Sequence, residues 1–70
     1  MANRRGQSIR RLRKAANISL QELAKQVGFS FPYIAKIERG ERPITDKLYL
    51  QLRLALVELA EKHLEAASNA

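Results

Sequence analysis

No cysteine occurs in this chain. Disulfides and thiolate metal centres are therefore excluded, and a reducing cytoplasm fits better than secretion. No apolar run approaches the roughly 18 residues that a membrane span needs. The N-terminal MANRRGQSIRR is charged but lacks the apolar segment of a secretory signal. The single histidine, His63, stands in a polar stretch without a second ligand, so neither a metal nor another cofactor is expected. A nucleophile with a base and an orienting group is also missing, which argues against an enzyme. Strand-like alternation and internal repeats are absent. Glycine and proline are scarce, and residues 46–67 contain neither.

What is present fits one small helical domain. Seventy residues lie close to the lower size at which an apolar core alone holds a fold, and at this length dimerisation often supplies the missing burial. A hydrophobic content of 46% argues against disorder. The net charge of +6 is unevenly spread. Residues 1–42 hold ten bases against three acids, a surplus of seven, whereas residues 43–70 hold three bases against four acids. A basic first half suggests an end that faces a polyanion, with a separate task for the second half.

The chain divides into an arm, three short helices and a long one. Residues 1–6 are polar and basic and end in Gly6, which reads as a flexible basic arm. From about Gln7 to Ala16, Ile9, Leu12 and Ala16 fall on one helical face, and Asn17 tolerates the left-handed conformation that ends helices. Ser19 and Glu22 form a capping box that opens a second helix carrying Leu20, Leu23, Ala24 and Val27, with Gly28 closing it. Ser30 can cap a third helix that stops at Gly40, although Phe31, preceding Pro32, is disfavoured from helical geometry. After the turn at 40–43, Thr45 caps a run from about Asp46 to Ala67. The expected organisation is all-α: arm 1–6, helix-turn-helix core 7–44 and C-terminal helix 45–70.

Residues 20–39 carry the functional signal. Two short helices crossing steeply need a small residue at the crossing, supplied by Ala24, and a tight turn free to take positive φ, supplied by Gly28. Ile34 and Ile37 then point inward. Phe31, Pro32, Ala35, Lys36 and Arg39 are left on or near the outer face.

With Leu12-Arg13, Ile18-Ser19, Glu22-Leu23-Ala24, Val27-Gly28, Ser30, Tyr33-Ile34, Ile37 and Glu38-Arg39-Gly40 in register, residues 9–43 resemble the phage-repressor and Cro-like helix-turn-helix proteins, the xenobiotic-response-element type. The resemblance implies a cytoplasmic regulator in a bacterial, phage or plasmid setting, binding double-stranded DNA. Two positions depart from the family pattern. Leu20 stands where a glutamine commonly follows the capping serine, and Gln21 comes one residue later. Phe31-Pro32 replaces the usual polar start of the recognition helix, where an apolar group can pack on thymine methyls.

On that resemblance the DNA-binding set is Arg4, Arg5, Gln21, Ser30, Phe31, Pro32, Tyr33, Lys36, Arg39 and Arg42. Ser30 caps the third helix and can also donate to a phosphate. Lys36 can reach a guanine edge, Arg39 a base or phosphate, and Tyr33 either a phosphate or the scaffold. Arg4 and Arg5 on the arm could enter a minor groove or lie along phosphates. Arg13 and Glu38 match the family's structural pair, which ties the first helix to the end of the third.

In the long helix, Leu48, Leu52, Ala55, Leu56 and Leu59 form a stripe that can cover the core. Leu50, Leu54, Val57 and Leu64 lie on a neighbouring stripe with no obvious partner, the mark of an interaction surface. A two-fold pair there would set recognition helices about 34 Å apart on a palindromic site. A bend near Val57 that folds the helix back over its own core is the alternative. The favoured function is a homodimeric transcriptional regulator, a repressor more than an activator, without a membrane partner. A protein-interaction role, such as the antitoxin of a toxin–antitoxin pair, is the runner-up and leaves room for a second protein partner.

Overall fold

The structure is a computed structural model that describes residues 4–68. Four helices follow in order, α1 (Arg4–Ala15), α2 (Leu20–Val27), α3 (Phe31–Glu38) and α4 (Asp46–Ser68). The expected all-α architecture with a long last helix is the one observed.

Each boundary has a local cause. Asn17 takes φ 59°, which turns the chain out of α1. The Ser19 side chain accepts the Glu22 amide at 3.0 Å while Glu22 Oε1 accepts the Ser19 amide at 3.0 Å, a closed capping box. Gly28 ends α2 at φ 79°, its amide donating to the Ala24 carbonyl. Ser30 Oγ accepts the Tyr33 amide at 3.3 Å and opens α3. Phe31 is nonetheless helical there, with Pro32 in the first turn, where a missing amide costs nothing. Thr45 Oγ1 accepts the Leu48 amide at 3.1 Å and starts α4.

The core gathers one face from every helix. Ile9, Leu23, Ile34, Ile37 and Leu52 are fully enclosed, each contributing about 1.5–3 kcal/mol by its removal from water. The stripe Leu48, Leu52, Ala55, Leu56 and Leu59 of α4 is buried against them. α1 and α2 each pack on both α3 and α4. α4 continues without a break through Val57, so the alternative of a bend is not realised. Its far end extends beyond the core and accounts for the elongated 42 × 20 × 19 Å envelope.

Two expectations are corrected. Arg4, Arg5 and Gly6 are the first turn of α1 rather than a flexible arm, and Met1–Asn3 of that arm lie outside the described residues. The physical reason is Gly6. It is buried, and a β-carbon there would lie 2.2 Å from the Ile37 carbonyl oxygen, so the glycine permits backbone-to-backbone packing of α1 on α3. Leu12, expected on the inward face with Ile9, is exposed. It lines a shallow apolar groove with Ala16, Arg53, Leu56, Val57 and Ala60.

Candidate nucleic-acid interface

The site begins with how α3 is held. Its inner residues Ile34 and Ile37 are buried. Its C-terminal end is clamped by Arg13, whose Nε donates to Glu38 Oε2 at 2.8 Å and Nη2 to Oε1 at 2.9 Å. Arg13 Nη1 also donates to the Ile18 carbonyl at 2.9 Å, so one guanidinium joins α1, the turn before α2 and α3. Arg13 and Glu38 are only 9% and 5% exposed, and the fork geometry satisfies both charges. With the Gly6 contact, two independent restraints fix the end of α3.

The opposite face of α3 is bare. Phe31, Pro32 and Lys36 are exposed, as are Ser30 before the helix and Arg39 after it. Tyr33 is half-buried and packs toward the core, its ring 5.2 Å from that of Phe29, which favours the scaffold alternative for this residue. Gln21 is exposed on the first turn of α2, and Arg42 in the loop after α3. Ser30, Phe31, Pro32, Lys36 and Arg39 thus share one helix and its caps, with Gln21 and Arg42 on adjoining segments.

Arg5 stands apart from this group. Its Nη1 donates to the Ile44 carbonyl at 3.2 Å, its Nη2 lies 2.5 Å from Asp46, and its guanidinium sits over the Tyr49 ring at 5.2 Å. It links the start of α1 to the start of α4 and is not a mobile arm residue. Arg4 is exposed on the same helical turn.

Two residues of this surface escaped the sequence. Arg10 of α1 is exposed and lines a cleft with Leu20, Ala35 and Arg39, the buried Arg13–Glu38 pair beside it. Helical periodicity within α1 does not say that α3 lies next to Arg10. Glu41 accepts an ion pair from Arg39 Nε. That hydrogen bond, assisted by the charges of Arg39 and Lys36, holds the Glu41 carboxyl below its ordinary range. On the other side of α2, His63 Nε2 lies 2.9 Å from Glu22 Oε2, so the lone histidine is a link between α4 and the capping box.

A family model described as helix-turn-helix matches residues 9–56, more than half of the chain. The chain belongs to the Cro/C1-type helix-turn-helix family. Within the family's two-helix unit, α2 is the supporting helix and α3 the one whose outer face is bare. Two curated relatives, each an uncharacterised HTH-type transcriptional regulator of Mycobacterium tuberculosis (strains H37Rv and CDC 1551 / Oshkosh), are 38% identical over 56 residues. The match covers 80% of this chain but only 40% of each relative's length. No solved structure matches significantly. No helix among the described residues is long and apolar enough to cross a membrane.

Proposed function

We propose that this helix-turn-helix protein binds double-stranded DNA by laying the outer face of α3 in the major groove, and that it regulates transcription as a homodimer on a palindromic operator. One observation carries the DNA reading. α3 is immobilised by the Gly6 contact and the Arg13–Glu38 fork, while its other face is left bare and rimmed by Arg10, Lys36, Arg39 and Arg42. A rigid helix with unpacked, basic surroundings is what groove insertion and phosphate contact require. The relatives' names, which describe transcriptional regulators, support the same direction. Repression is the simplest mode, because occupancy of a promoter needs only affinity.

The homodimer rests on α4. Leu50, Leu54, Val57 and Leu64 are 54 to 68% exposed, at intervals of four, three and seven residues, the spacing of a helix-pairing seam. The groove of Leu12, Ala16, Val57 and Ala60 continues that apolar surface. Arg53 and Glu61 are exposed on the same stretch of α4, so it carries both signs and a second copy meets complementary charge. No residue of this surface belongs to α3 or its caps, so pairing there is compatible with an open DNA face.

Selection of binding sites from a random duplex pool tests the proposal. An enriched inverted repeat, with half-sites about one helical turn apart, is the expected product. An enriched site without two-fold symmetry would contradict the homodimer, and a pool that never enriches would contradict sequence-specific binding.

A further inference from the structure

We infer that Glu41 is a built-in competitor of DNA: its carboxylate holds Arg39 in an ion pair that a backbone phosphate must displace, and this limits affinity for all duplexes. The inference rests on the DNA-binding reading of α3 given above.

The turn after α3 fixes Glu41 where it can act. The Arg39 amide donates to the Ala35 carbonyl at 3.1 Å, the Gly40 amide to Ile37 at 3.0 Å and the Glu41 amide to Lys36 at 2.9 Å. Gly40 takes φ 81°, which reverses the chain so that side chains 39 and 41 meet. Arg39 Nε then donates to Glu41 Oε2, and the two side chains remain 54% and 51% exposed. An exposed pair of this kind is weak and opens readily, so it acts as a latch rather than a structural clamp.

The acids of the helix-turn-helix segment other than Glu41 are engaged elsewhere. Glu38 is buried against Arg13, and Glu22 serves the α2 cap and His63. Glu41 is the carboxylate set among the cations of the α3 rim, close enough to feel Lys36 as well as Arg39. When Arg39 turns to a phosphate, a counterion leaves the DNA but one returns to the abandoned Glu41. The return offsets part of the release in the salt dependence. A neutral residue at 41 removes the return and leaves the release.

Anisotropy titration of a labelled mixed-sequence duplex over a potassium chloride series tests this with the wild type, Glu41→Gln, Arg39→Ala and the double variant. Glu41→Gln is expected to tighten binding about two- to fivefold and to steepen the slope of log affinity against log salt, by at most about 0.9. In the Arg39→Ala background the same substitution is expected to lose that gain. Unchanged or weaker binding by Glu41→Gln would overturn the inference, since Glu41 would then be a bystander or would orient Arg39 for contact. An equal gain with and without Arg39 would overturn it too, by reducing the effect to net charge. Failure of the wild type to bind duplex DNA at any salt would instead overturn the underlying DNA reading. A melting curve of Glu41→Gln that overlays the wild type shows that the fold is intact.

Discussion

A methyl group at position 6 decides between two opposite effects. In an exposed helix interior, glycine to alanine stabilises by about 1 kcal/mol. Here the added carbon would lie 2.2 Å from the Ile37 carbonyl, and overpacking of that kind costs about 1–3 kcal/mol. Gly6→Ala is therefore expected to lower the melting temperature, and a higher one would contradict the close approach of α1 and α3. Glu38 poses the complementary case. Removing its carboxylate leaves the Arg13 guanidinium buried and half-partnered, a loss of about 3–5 kcal/mol in urea unfolding. A fully stable Glu38→Ala protein would mean that the fork does not hold α3.

At the scale of elements, the caps carry most of what was legible. Ser19, Glu22, Gly28, Ser30 and Thr45 act through bonds to amides a few residues away, so their roles can be read from local spacing. Contacts between elements cannot. Gly6 reads as the end of an arm because a glycine breaks helices more often than it seats one against another backbone. Leu12 reads as inward because periodicity defines a face but not how much of it a neighbour covers. Arg10 depends likewise on where α3 lies, whereas the pairing of Glu41 with Arg39 is local and follows from the left-handed Gly40 between them. The His63 link to the α2 cap makes a pH prediction. The Ser19 amide, followed by His63, holds the Glu22 carboxyl below its ordinary range. A depressed carboxylate contributes stability above its unfolded value and loses it as pH falls through the folded one. Glu22→Ala should thus melt earlier than the wild type at neutral pH, with the gap closing below the ordinary carboxylate range. A gap that stays constant down to strongly acidic pH would show that the charge of Glu22 is not what the cap uses.

For the whole molecule, the division of charge between the two halves corresponds to a division of surfaces. The basic residues Arg10, Lys36, Arg39 and Arg42 surround α3, while the exposed apolar row lies on α4. Leu54→Glu combined with Val57→Glu should leave the monomer folded, because neither side chain is in the core. If α4 pairs two copies as proposed, sedimentation shows a dimer for the wild type and a monomer for the double variant, and a double variant that stays dimeric would remove α4 from the proposed interface. The central claim, that DNA lies against the bare face of α3, is tested most directly by mapping backbone amide shifts as a duplex is added. The account predicts changes concentrated at Gln21, Ser30–Arg39, Arg42 and Arg10, with the amides of Glu58, Glu61 and Leu64 unmoved. Shifts confined to α4, with residues 30–39 silent, would contradict it.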